Sequence, residues 1–124
     1  MRRLRLYIVL VEVTSLPLAI LIAMYILTGY GLISEAMRPL GLTRALSASL
    51  HTSPVLRVLL VALTALHGYT GLVVLAYRKV RAEGVREVLE ILLLALTVAF
   101  VVVCAYSELH PLLHATRGYH GGRG

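Results

Sequence analysis

The 124-residue chain contains no Asn, no Gln and no Asp, and it has one Cys. With a single cysteine no internal disulfide is possible, and Cys104, set inside an apolar run, reads as a small buried apolar residue. Eleven of its twelve basic residues are Arg, the other being Lys79. Missing thermolabile amides fit a thermophilic source, although apolar membrane proteins are amide-poor in any case. Charge is scarce as well. Charged residues make up 15% of the chain and hydrophobic ones 59%, and the mean hydropathy is +0.86. Those values exclude an ordinary soluble domain. They also leave no room for a separate soluble catalytic domain.

What remains is three long apolar stretches, Val13–Ser34, Val58–Tyr77 and Ile91–Ser107. Each is close to the roughly 20 residues needed to cross a bilayer as a helix. The predicted fold is an all-α membrane protein, a single integral domain over 1–124. Its transmembrane helices fall at about 7–30, 54–77 and 85–106, with a possible interfacial helix at about 36–50. The net charge of +6 sits at the ends of the spans, so it implies anionic lipid rather than nucleic acid.

Arginine placement orients the chain. Arg2, Arg3 and Arg5 precede the first span, and Arg78, Lys79, Arg81 and Arg86 lie between the second and third. Arg38 and Arg44 occupy the 35–53 connection, and Arg117 and Arg123 the tail. The positive-inside rule places the N-terminus and the 78–86 turn in the cytoplasm, and the C-terminus outside. A signal peptide is the competing reading of the first segment, but its apolar part is too long and contains Pro17.

Local signals refine each span. Pro17 predicts a kink in the first, which closes at the turn-like Thr28-Gly29-Tyr30-Gly31. Glu12, Thr14 and Ser15 stand near its cytoplasmic end. Glu12 reads as a carboxylate snorkelling to the interface or pairing with an Arg, or as part of a polar pocket lining. Pro54 starts the second span, whose Ala62, Ala65, Gly68 and Gly71 permit close helix approach. The short basic turn makes spans two and three antiparallel neighbours. Glu87 and Glu90 suit the start of the third helix and can pair with the turn arginines. The Gly-rich end of the tail reads as frayed.

The chemistry rests on histidine. His67 lies in the middle of the second apolar stretch, and an ionisable group at that depth normally faces a protein interior, a cofactor or a proton path. On a helix Gly71 lies about 40° from His67 and Arg78 about 20°, with Arg78 about 16 Å nearer the cytoplasm. Imidazole, small residue and guanidinium on one face suit a haem: an axial nitrogen, room for the macrocycle, and a cation toward the propionates. The plainer alternative is a hydrogen bond from His67 across helices to a Ser, a Thr or a carbonyl. Spans one and three contain no histidine, so a second ligand at that depth would come from another subunit. His51, His110 and His114 all fall near the outer face, where they form an alternative haem or metal site or remain solvent-exposed.

The stretch His67-Gly-Tyr-Thr-Gly71-Leu, followed by a short basic turn and a third apolar span, resembles the membrane-anchor (cytochrome b) subunits of succinate dehydrogenase and fumarate reductase. The polar-then-apolar start Leu10-Val-Glu-Val-Thr-Ser15 is similar too. The architecture matches over most of the chain, while the motif itself matches only at His67 and Gly71. In that family the motif histidine ligates haem b between two anchor subunits, and quinone binds near the cytoplasmic side. Two departures stand out: Val73 occupies a position where one type of anchor has Arg, and Arg78-Lys79 the place of an Asp-Tyr pair. Tyr77 lies two residues early, and by depth it is a quinone candidate or an interfacial anchor.

The resemblance implies a plasma-membrane, multi-pass, non-catalytic subunit of a quinone-linked respiratory oxidoreductase. It would carry electrons through haem b between a cytoplasmic redox partner and the quinone pool. His67, Gly71 and Arg78 would hold haem, and Glu12, Ser15 and Tyr77 would meet quinone. Its partners would be iron–sulfur and flavoprotein subunits, with a second anchor subunit or homo-oligomer supplying the other ligand. Two further readings stay open: a self-contained small cytochrome b with an outer-side haem, and a cofactor-free structural accessory subunit.

Overall fold

The computed structural model describes residues 2–118, with side chains described for 3–110. Helix α1 spans Arg2–Ile33, a 3-10 helix Glu35–Leu40, α2 Arg44–His51, α3 Pro54–Lys79 and α4 Glu83–Gly118. Three of these helices are long and apolar enough to cross a membrane, over Arg3–Ile33, Pro54–Lys79 and Glu83–His110. The expected all-α, three-span fold is therefore the observed one.

The helix ends follow from local chemistry. α1 runs unbroken through Pro17 and past the expected Gly29–Gly31 stop, because helical backbone in lipid keeps its own hydrogen bonds satisfied. It ends where the Ser34 side chain accepts a hydrogen bond from the Ala36 N–H at 3.2 Å and starts the 3-10 turn. The interfacial segment predicted as one helix over 36–50 is two pieces. Gly41, at φ 79, closes the first with its N–H on the Arg38 carbonyl, a left-handed position that glycine occupies without strain. Thr43 then caps α2 by accepting from the Leu46 N–H at 3.3 Å. Pro54 opens α3 in its first turn, where a missing N–H is harmless. α4 continues well past the expected end at 106.

α3 is the central helix, packing against α1 on one side and α4 on the other, while α2 folds back on α1. Few side chains among the described residues are buried: Leu18 and Val73 are apolar, and Thr14, Thr28, Ser47 and Thr70 are polar. In lipid the helices gain nothing from hiding apolar surface from one another, so small hydroxyl-bearing residues at the contacts let them approach and bond. α2 is seated most tightly. Ser47 fills the space beside Gly31 so completely that a methyl group added at Gly31 would overlap it. No residue in the most apolar stretch of α4 is buried, so that helix presents its surface outward.

Candidate functional site: the His67 groove

α3 brings His67 against α1 at Thr14, whose Oγ1 lies 3.0 Å from Nδ1 of the imidazole. The same hydroxyl donates to the Leu10 carbonyl at 2.6 Å, the usual arrangement for a threonine inside a helix. A hydroxyl has one proton, and the short carbonyl contact takes it. Oγ1 therefore accepts from Nδ1–H of His67. In the neutral ring this network assigns the remaining lone pair to Nε2. A histidine that ligates a metal is normally prepared in this way, its other ring nitrogen donating to an oxygen that fixes tautomer and orientation.

Beside the histidine, α1 and α3 part to form a groove of about 360 Å³ lined by Ile8, Val11, Glu12, Gly71, Val74 and Arg78. Gly71 lies one turn from His67 and leaves the groove open: a Cβ there would stand 4.0 Å from Val11. The structure thus brings Gly71 and Arg78 to one groove, as their shared face predicts, and adds Glu12 from α1, while His67 is not among the lining residues. Glu12 and Arg78 are exposed, and neither forms an ion pair among the described residues. Of the two expectations for Glu12, snorkelling or pairing with an arginine, no pair is formed among the described residues, and the side chain is exposed. Ser15 is exposed and donates to the Val11 carbonyl at 2.6 Å.

Tyr77 belongs to a different cluster. Its hydroxyl donates to Glu90 Oε2 at 3.5 Å, and the Arg86 guanidinium stacks on its ring, 4.7 Å from the centroid. Tyr7 donates to Glu90 Oε1 at 2.9 Å and meets Tyr69 edge-on at 6.1 Å. Glu90 is therefore spent on α1 and α3 tyrosines rather than on turn arginines. Glu83, which the sequence reading passed over, is the acid facing Arg86, at 4.0 Å.

At the α2 end a second histidine repeats the first. Thr28 Oγ1 donates to the Met24 carbonyl at 2.8 Å and lies 3.1 Å from Nδ1 of His51, which leaves Nε2 of His51 as the unprotonated nitrogen by the same reasoning. His51 stacks on Tyr25 at 5.1 Å. His110 stacks on Tyr106 of its own helix at 5.6 Å, and the side chain of His114 lies outside the described residues. Among the described residues no three His, Cys, Asp or Glu side chains come together to hold a metal ion.

Sequence reasoning missed the ion pair between Arg57 of α3 and Glu108 of α4. Nη2 donates to Oε2 at 2.9 Å and Nε lies 2.9 Å from Oε1. The two line an apolar groove of about 340 Å³ together with Cys104, so Cys104 is a groove residue rather than a buried one. A signal was present, because Arg57 and Glu108 stand at nearly equal distances from the 80–82 turn that folds α3 against α4. No protein-family model, curated protein or solved structure matches the chain.

Proposed function

We propose that the chain is a membrane-embedded, non-catalytic subunit of a quinone-linked oxidoreductase, holding haem b at His67. The carrying observation is the Thr14 hydroxyl, which accepts from Nδ1–H and leaves Nε2 as a ligand nitrogen. The remaining residues fit the group as one half of a site. Gly71 leaves room along α3, and Arg78 stands at the end of the same groove, where a cation suits the propionates. When bound between two imidazoles, haem supplies one-electron transfer. Thr14 holds the imidazole plane and its proton, and Glu12 adds a carboxylate to the groove where a quinone headgroup would bind.

In this reading the arginine-rich N-terminus and the turn between α3 and α4 face the cytoplasm of a cell whose plasma membrane holds the protein. Flavin and iron–sulfur partner subunits would dock on that side. The test is a reduced-minus-oxidised visible spectrum of the protein purified with its partners, beside His67→Ala. Sharp α and Soret bands that vanish on substitution support the haem reading. No bands in a sample that retains its partners overturn it.

A second reading rests on the same hydrogen bond, which already satisfies His67 across two helices as a cofactor-free accessory subunit would need. It predicts a colourless protein in which His67→Gln is tolerated, since only a donor to Thr14 is required.

A further inference from the structure

The groove between α3 and α4 is polar at one end only. Its floor is Val61 and Ala62 of α3 with Val101, Cys104 and Ala105 of α4, and from Val101 to Leu109 it runs about 12 Å along the helix. Arg57 and Glu108 close it. Arg57 stands three residues into the α3 span and Glu108 two from the end of the α4 span. The pair therefore sits near the bilayer surface, and the apolar floor leads inward.

The polar end is not self-sufficient. Arg57 Nη2 donates to Glu108 Oε2 at 2.9 Å, but Nε, although 2.9 Å from Oε1, is buried and makes no hydrogen bond. The Tyr25 hydroxyl of α1, in the field of both charges, is likewise buried with no hydrogen-bond partner among the described residues. Buried donors left without acceptors are costly and rare. Two in one corner call for an acceptor oxygen from outside the chain. Guanidinium and carboxylate already cancel, so that oxygen need bring no net charge, and an anionic headgroup would face Glu108.

We propose that this groove holds one chain of a glycerolipid of zero net charge, with an oxygen of the headgroup–chain linkage accepting from Arg57 Nε. The order of polarity along the groove is that of such a lipid, with oxygens near the surface and hydrocarbon inward. Small side chains at Ala62 and Ala105 leave the width that a chain needs. An apolar cleft with a few placed polar groups is the usual form of a ligand site. The groove shares no residue with the one between α1 and α3, so the site stands apart from the haem reading.

The experiment reconstitutes the full chain in vesicles of equal parts phosphatidylethanolamine and phosphatidylglycerol. A trace of phosphatidylethanolamine carries a photoreactive diazirine in one acyl chain. Crosslinks are expected to concentrate on Val61 and Cys104 and to spare Val103, an exposed residue of α4 at similar depth. Weighed intact in mild detergent, each chain is expected to retain one phosphatidylethanolamine. Ala105→Phe, which fills the groove, should lose that lipid, and Val103→Phe should keep it. Equal labelling of groove and outward surface overturns the proposal, since the lipid then only coats the helices. Preferential retention of phosphatidylglycerol, of a molecule that is not a glycerolipid, or of nothing overturns it too. If Ala105→Phe fails to accumulate, the labelling pattern and mass of the unsubstituted protein decide by the same criteria.

Discussion

The His67–Thr14 and His51–Thr28 pairs are built from the same parts. In each, a threonine of α1 gives its proton to the carbonyl four residues earlier and accepts from Nδ1 of a histidine on another helix. The two threonines lie about 40° apart around α1 and about 21 Å apart along it, so one stripe of the helix carries both. What differs is the setting. His51 leans on the Tyr25 ring and passes over Gly29, while Ser47 of the same short helix is locked against Gly31. His67 lies midway along α3, flanked by Gly68 and Gly71, and one turn on Gly71 opens a groove that also holds a carboxylate and a guanidinium. A hydrogen bond to Nδ1 therefore does not define a ligand by itself. It fastens α2 onto α1 at one end and, in the function proposed above, prepares Nε2 at the other.

That distinction can be broken in several ways. The largest effect on the fold is expected from Gly31→Val, which drives a side chain into Ser47 and releases α2. Overpacking of this kind costs about 1–3 kcal/mol, read as a lower Tm in detergent and faster proteolysis between Glu35 and Thr52. Unchanged proteolysis would show that α2 is not fastened there. Thr14→Val and Thr28→Val sharpen the contrast further. Each removes one interhelical hydrogen bond, about 0.6 kcal/mol in a membrane protein. Only Thr14→Val is expected to weaken haem retention, by about 10- to 100-fold, as loss of a partner to a ligating histidine does. Equal haem retention in the two variants would dissolve the difference between the pairs.

Smaller effects are expected where no histidine is involved. Glu108→Ala leaves Arg57 without its ion-pair partner in a partly exposed pair, and about 0.2–1 kcal/mol is the usual size for such a loss. Glu35→Ala, which removes a largely exposed partner of Arg38, is expected to leave the Tm unchanged.

Much of this was legible before any coordinates. The three spans follow from hydropathy, and the prominence of His67 follows from the apolar run around it. The grouping of Gly71 and Arg78 follows from helical periodicity alone. The partners of the histidines were not legible, because Thr14 and Thr28 satisfy themselves on their own helix and look inert in sequence. Nor was the role of Glu90, whose tyrosines come from α1 and α3 and depend on three helices meeting. The break of the interfacial segment had a local signal in Gly41. Arg57 was hidden for a different reason: an arginine one turn into a span reads as an end marker until its counterpart on α4 is placed.

The most direct test of the contrast is haem content and the reduced-minus-oxidised spectrum of His67→Ala and His51→Ala, measured side by side with partners retained. The account predicts that His67→Ala loses the α and Soret bands. His51→Ala should keep both bands and lose only stability. Bands that survive in His67→Ala and disappear in His51→Ala would contradict it and move the cofactor to the other end of the molecule.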